Sequence, residues 1–342
     1  MTGGGLLGAG SVDLSAALAE LRERGGTDEA HLIALLEQAV ADTYRRLVPD
    51  DPGVQARVDL LTGNFELVRP RVAPPDGEAG AEPADPAQQL DHVDLPGADF
   101  ARQAATAARQ AVHGLIRDVE ADRVLREAAA RRGELVDTIV ERDDGPLVWL
   151  AAGQLPVVLP PEEQMPGERF ERGQHLKVIV IDGRRRGRDA VAVASRSHPD
   201  LLRRLLEQEV PELASGQVTV RAMAREAGRR SKVAVEAAQP GIDPVGACIG
   251  PKGVRIRAVV GELGEEQVQV IAWSSDDAVY VANSLQPASV RKVELDEETR
   301  TAHVLVPAGQ LSLAIGRSGE NARLAARLTR WRIDIEGEGE AQ

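Results

Sequence analysis

Two stretches of this chain, 66 positions apart, follow a single plan. Gly246-Ala247-Cys248-Ile249-Gly250-Pro251-Lys252-Gly253-Val254-Arg255-Ile256-Arg257 runs parallel to Ser312-Leu313-Ala314-Ile315-Gly316-Arg317-Ser318-Gly319-Glu320-Asn321-Ala322-Arg323. Each reads as a short helix ending in a small residue and Ile, then a Gly-x-x-Gly turn, then a new amphipathic helix (Val254 to Leu263; Glu320 to Leu328) that leads to a β-like stretch (Val268 to Ile271; Trp331 to Ile335). In a chain with 33 glycines one such pair means little more than a turn. Two copies in matched context imply a duplicated structural unit.

The residue types suggest a chemistry. A tight helix-to-helix turn needs glycine for its backbone angles, and without side chains there a nucleic-acid backbone can reach the amides at the start of the second helix. Lys252 and Arg317 then stand beside the phosphates, and Arg255, Arg257, Arg323, Arg327, Arg330 and Arg332 surround them with further positive charge. The candidate nucleic-acid-binding residues are therefore Gly250, Pro251, Lys252, Gly253, Arg255 and Arg257 in one copy and Gly316, Arg317, Ser318, Gly319 and Arg323 in the other. Cys248 and Ala314 fill equivalent small apolar positions, so the thiol reads as core packing.

With 342 residues the chain has room for two or three domains or more. Asp28-Glu29 open a segment in which Leu32, Leu36, Ala39, Val40 and Leu47 recur at helical spacing, preceded by a shorter helix around Leu14, Leu18 and Leu21. Val54 to Val68 alternates like a hairpin about Thr62-Gly63-Asn64. Residues 71–94 carry four prolines and six acids against one arginine, the composition of a flexible acidic loop. From about 99 to 131 a proline-free stretch with Phe100, Ala104, Ala108, Val112, Leu115, Val119 and Leu125 in a stripe predicts one long connector helix. Five short β-rich runs then follow (Leu135 to Val140, Leu147 to Leu150, Leu155 to Leu159, Leu176 to Ile181, Ala190 to Ala194), the pattern of a small OB-type barrel. In one of its loops Arg184, Arg185, Arg186 and Arg188 can track a phosphate backbone, or form a solvated hairpin tip. Trp149 and Phe170 are its only aromatics, so base stacking there is expected to be weak.

Composition excludes several classes. No apolar run approaches the ~20 residues of a bilayer crossing and no signal peptide is visible, so no membrane association and a cytoplasmic location are expected. Cys248 is the single cysteine and the six histidines are scattered, so no metal and no cofactor are expected. The net charge of −13 argues against a nucleic-acid partner, but residues 1–130 alone hold 22 acids against 12 arginines, leaving the remainder close to neutral. A Walker-type loop, a His-Glu-x-x-His pair and a two-metal carboxylate cluster are all missing from the sequence, which speaks against an enzyme.

The repeated turn resembles the loop of the KH domain, which clamps about four nucleotides of single-stranded nucleic acid. In full, the segments Asp243 to Gly253 and Gln310 to Gly319, with Leu159-Pro160-Pro161-Glu162-Glu163-Gln164-Met165-Pro166-Gly167-Glu168, Ser195-Arg196-Ser197-His198-Pro199 and Glu209-Val210-Pro211-Glu212, are similar to the NusA family of bacterial transcription termination/antitermination factors. The helix ending at Tyr44-Arg45-Arg46 is similar too, and the resemblance makes Tyr44, Arg45 and Arg46 candidate polymerase contacts. It implies a multidomain α+β protein: a polymerase-binding domain over 1–130, an S1-type OB fold over 132–198, two tandem KH domains of the prokaryotic type over 199–278 and 279–336, and an acidic tail over 337–342. Departures from the family are the insertion-like loop at 71–94, the aromatic-poor barrel with Trp149 where tyrosine is common, and the expected lack of the acidic repeats, with their autoinhibition, that some members carry. The implied partners are core RNA polymerase, nascent single-stranded RNA and other antitermination factors, with the chain a monomer. The alternative is an RNA-binding KH/S1 accessory subunit of RNA degradation or ribosome assembly.

Overall fold

The computed structural model describes residues 3–5, 29–60, 62–70, 90–97 and 99–339. The expected helix around Leu14, Leu18 and Leu21, most of the acidic segment 71–94 and the last three residues of the tail lie outside the described residues. The chain divides into two compact units, residues 1–126 with 185–190, and residues 127–184 with 191–342. Among the described residues no helix is long and apolar enough to cross a membrane.

In the first unit helix α1 (Glu29–Leu47) begins on an acid and ends on Arg45 and Arg46, as the helix dipole favours. Its spacing turns Leu32, Leu36, Val40 and Tyr44 into the core; Leu47, expected to close that stripe, is instead exposed, because Tyr44 already completes the buried face one turn earlier. The partner sheet has β3 (Asn64–Pro70) at its centre. Strand β2 (Gln55–Asp59) pairs along one edge, while β1 (Gly3–Gly5) and β4 (Leu90–Val93) share the other. Strand β4 lies inside the stretch read from composition as loop: Leu67 to Pro70 offer it an open edge, and backbone pairing requires no apolar pattern. Helix α2 (Phe100–Ala130) places Phe100 edge-on to Phe65 and Tyr44, with ring centroids 5.8 and 6.2 Å apart, and adds Ala104, Ala108, Val112 and Val119 to the same core. Beyond Val119 the buried residues are Ala121, Val124 and Ala128 while Leu125 is half-buried, so the stripe shifts phase there.

The second unit opens with a closed barrel of β5 (Leu135–Asp143), β6 (Val148–Ala152), β7 (Leu155–Leu159), β8 (His175–Arg186) and β9 (Asp189–Ser195), in the order β5-β6-β7-β9-β8. Strands β7 and β9 pair parallel, while β5 with β6, β5 with β8 and β6 with β7 pair antiparallel. These are the five strands that the short β-rich runs predict.

Two α/β modules of one topology follow. The first comprises α3 (Pro199–Glu209), the short α4 (Pro211–Ala214), β10 (Val218–Glu226), β11 (Arg230–Ala237), α5 (Pro244–Ile249), α6 (Val254–Glu262) and β12 (Gln267–Ala272). The second comprises α7 (Asp277–Ser284), β13 (Lys292–Asp296), β14 (Thr301–Pro307), α8 (Leu311–Ile315), α9 (Glu320–Thr329) and β15 (Arg332–Glu338). In each sheet the first pair of strands is antiparallel and the second parallel. The molecule is thus a multidomain α+β protein.

Buried ionic groups join these parts. Arg196, following β9, is almost fully buried and donates to Glu168, to the Lys177 carbonyl of the barrel at 2.8 Å and to the Glu262 carbonyl of the first module at 2.7 Å. Arg225 reaches the fully buried Glu266 through Nε and Nη2, both at 2.9 Å, and Ser231 and the Gly228 amide complete that carboxylate's partners at 2.6 and 3.0 Å. The two modules meet through Leu324 and Leu328 of α9, which cluster with Ala224, Ala234 and Ile271 of the first sheet.

Candidate nucleic-acid interface

Each Gly-x-x-Gly turn is built from the helix before it. In the first copy Asp243 caps α5 by accepting from the Val245 amide at 3.1 Å, and Pro244 supplies the first helical residue. A Cβ on Gly246 would stand 2.4 Å from the Asp243 carboxylate, so the cap itself requires glycine there. Cys248 is buried in the module core, where burial pushes its thiol up to about 11; it packs, as the sequence suggests, and its equivalent Ala314 is buried likewise.

The turns themselves superpose angle by angle. Gly250 and Gly316 have φ/ψ of 73/171° and 79/170°, Lys252 and Ser318 have 52/24° and 52/28°, and Gly253 and Gly319 have 73/21° and 74/13°. All six lie at positive φ, which only glycine adopts without cost, so Lys252 and Ser318 are held there by their surroundings. The turn closes through the Gly253 amide on the Gly250 carbonyl at 3.0 Å and the Gly319 amide on the Gly316 carbonyl at 3.2 Å. The cations are not in register: Lys252 is the third residue of its turn and Arg317 the second of its own. All four middle residues, Pro251, Lys252, Arg317 and Ser318, are exposed.

The arginines expected beside the turns divide into different tasks. Arg255 is half-buried, donates to the Ala247 carbonyl at 2.6 Å and to Glu212 at 2.8 Å, and lies so close to Gly250 that a Cβ there would meet its side chain at 2.6 Å. Its guanidinium is bound to the protein. Arg257 is exposed and donates to the Lys252 carbonyl at 2.5 Å; Arg323, its equivalent, donates to the Ser318 carbonyl at 3.4 Å and forks onto Glu226 at 2.8 and 2.9 Å. Sequence reasoning did not single out Ile249 and Ile315, which stand exposed immediately before each turn. Paired across 66 positions they offer an apolar surface beside each turn; the repeat of isoleucine at this position was the available signal, and its exposure was not.

On the barrel a cavity of about 770 Å³ is lined by Ile139, Arg142, Trp149 and Arg172 among others. Ile139 is exposed at its edge, and Arg142 lies over the Trp149 ring, 5.3 Å from its centroid. None of Arg184, Arg185, Arg186 and Arg188 lines this cavity. Arg184 pairs with Asp182 at 3.6 Å. Residues 185–190 group with the N-terminal unit, where Arg185 pairs with Asp118 and Asp122, and Arg188 lines a cavity with His31, His113 and Arg117. Arg186 is also engaged.

Of the three residues at the end of α1, Tyr44 is buried and its hydroxyl donates to Asp51 at 3.1 Å; burial and that carboxylate push its pKa up. Arg45 donates to Asp42 at 2.5 Å and Arg46 to Thr43 at 3.1 Å, leaving Arg46 and Leu47 on the surface. Among the described residues no group of three or more metal-ligating side chains occurs.

Three stretches of the chain match known protein families. Residues 13–122 match the NusA N-terminal domain, residues 196–273 the NusA-like first KH domain and residues 277–342 the NusA-like second KH domain. Relatives named transcription termination/antitermination protein NusA are similar along most of the length. That of Halalkalibacterium halodurans is 37% identical, over 95% of this chain and 88% of its own; that of Bacillus subtilis is 36% identical, over 97% and 92%; that of Thermus thermophilus is 39% identical, over 83% and 77%. With its two matched turns, its barrel and these relatives, the chain belongs to the NusA family of transcription termination/antitermination proteins.

Proposed function

We propose that the first unit docks on RNA polymerase while the barrel and the KH pair hold nascent single-stranded RNA, and that the chain modulates pausing, termination and antitermination by keeping the transcript close to the enzyme. The single observation that carries the RNA half is the pair of turns with positive φ at the same three positions, each with glycine as its first and last residue and followed by a helix N-terminus. Lys252 and Arg257 meet the phosphates at the first turn and Arg317 at the second, while Ile249 and Ile315 face the bases. Trp149 and the Arg142 and Arg172 guanidiniums add a stacking and phosphate site on the barrel. Arg46 and Leu47 are the residues at the end of α1 that can touch a polymerase surface, with Tyr44 holding the helix in place.

The mechanism is tethering. Several modest sites on one chain raise the effective concentration of RNA at each, so strong affinity at any one is unnecessary. The protein acts as a monomer and without a cofactor. The test is binding of residues 1–130 and residues 131–342, separately and joined, to core polymerase and to a short single-stranded RNA across a salt series. Polymerase retained by the first piece and salt-dependent RNA binding by the second is the expected result; a first piece that ignores polymerase overturns the docking half.

A further inference from the structure

The two turns share a backbone and differ in electrostatics, and the difference traces to one carboxylate. Arg257 and Arg323 are equivalent, and each donates to the carbonyl of the third residue of its own turn. Beyond that carbonyl Arg257 has no ion pair among the described residues. Arg323 forks onto Glu226, at the end of β10 in the other module, and Arg327 reaches the same carboxylate at 2.6 Å. The first module has no such arrangement: Gly261 stands where Arg327 does. At the end of β13, where Glu226 would have its counterpart, Asp296 is occupied by Thr299 and the Glu298 amide at 2.7 and 3.0 Å. Arg323 and Arg327 are each about 47% exposed while Glu226 is 16% exposed, so both guanidiniums face solvent beside the turn while held on one shared carboxylate. The Glu226 carboxyl is held below the usual carboxylate range, first by the Arg323 hydrogen bond, so it stays charged at neutral pH.

We propose that Glu226 sets how many phosphates the second turn neutralises: by holding Arg323 and Arg327 on its carboxylate, it withholds both from RNA and leaves Arg317 as that turn's phosphate cation. The two KH modules are then unequal by construction. The first grips the phosphate chain with Lys252 and Arg257; the second contributes its backbone amides, Arg317 and the apolar surface at Ile315, so that its affinity depends less on charge. This inference rests on the RNA-binding reading above.

The test is the full chain with Glu226→Gln, titrated with a mixed-sequence single-stranded RNA of about 10 nucleotides from low to high salt. Each phosphate neutralised on a single strand adds about 0.7 to the slope of log affinity against log salt. Releasing two arginines should therefore steepen that slope by about 1.4 and tighten binding at 0.1 M salt by roughly tenfold. In the otherwise natural chain Arg327→Gln should leave the slope unchanged, and Glu226→Gln with Arg323→Gln and Arg327→Gln should restore the original slope. A Glu226→Gln chain that melts like the parent and binds with an unchanged slope overturns the proposal, as does a slope that falls with Arg327→Gln alone. If the parent chain itself binds no RNA, the functional reading fails, which is a different result from a parent that binds and a variant that behaves identically.

Discussion

Arg255 and Asn321 occupy equivalent positions and solve one problem with different chemistry. Each lies over the first glycine of its turn and donates back to the end of the preceding helix: Arg255 to the Ala247 carbonyl at 2.6 Å, Asn321 to the Ala314 carbonyl at 3.0 Å. The carbonyls at a helix C-terminus lack partners within the helix, and here a side chain five residues beyond the first glycine supplies one. The turn is thereby fixed before any ligand arrives.

The first glycine of a turn should therefore be far less replaceable than the last. A Cβ on Gly316 would lie 2.7 Å from the Asn321 Cβ and 2.8 Å from its backbone nitrogen, whereas nothing lies within 4 Å of one on Gly319. Gly319→Ala bears only the left-handed backbone cost of about 1–2 kcal/mol. Gly316→Ala adds a backbone clash and should exceed about 3 kcal/mol by chemical denaturation. Equal losses would mean that the backbone around Asn321 gives way to a Cβ on Gly316 without cost.

Asn321 is buried, and its amide nitrogen also donates to the Leu285 carbonyl at 3.0 Å, tying α9 to the end of α7. Asn321→Ala leaves those buried carbonyls without a donor and should cost about 1–3 kcal/mol. Asn321→Asp should cost more, since it sets a charge against carbonyl oxygens. A neutral Asn321→Asp would show that the carbonyls find other donors.

Removing the Arg196 guanidinium should loosen the barrel from the first KH module. Its partners are Glu168 and carbonyls from both, and breaking a buried pair on one side costs about 3–5 kcal/mol. Denaturation of Arg196→Met should show a lower midpoint and a transition split between barrel and KH pair. A single transition shifted by less than about 1 kcal/mol would mean that apolar packing alone makes the joint.

Lys232 gives the KH pair a pH signature. Its ammonium is fully buried, donating to Gln269 at 2.6 Å and to the Gln286 carbonyl at 2.9 Å; burial, and secondarily the Arg230 charge, lower its pKa from 10.5 to about 7. Between those values the unfolded chain binds a proton that the folded chain releases, so this residue's contribution makes stability rise with pH from about 7 to about 10.5, with its full penalty below 7. The difference in stability between the parent and Lys232→Met, followed across that window, should change in that sense. A pH-independent difference would mean that the amine stays charged in the fold.

Much of this architecture is written in short-range pattern. The helix stripes, the five barrel strands and both turns depend on residues close in sequence, and the second turn gives the first its meaning. What could not be read depends on distant partners. Glu226 meets Arg323 97 positions away, Leu90 to Val93 become a strand only because β3 offers an edge, and Tyr44 looks like a surface residue until Phe100 and Asp51 enclose it. Arg255 shows the same limit: its spacing matches a phosphate contact, but Glu212 and the Ala247 carbonyl engage it.

On the function proposed above, both turns carry the RNA backbone. The most direct test is the full chain with Gly253→Asp and Gly319→Asp, compared with the parent for folding, polymerase binding and affinity for single-stranded RNA. A carboxylate at Gly253 stands beside Arg257, whose Nη1 is 3.0 Å from the Cβ position, so it takes that cation as well as repelling phosphate. RNA binding should weaken by at least about tenfold, or 1.4 kcal/mol, with polymerase binding and the folded state retained. RNA affinity equal to the parent's would remove the turns from RNA binding.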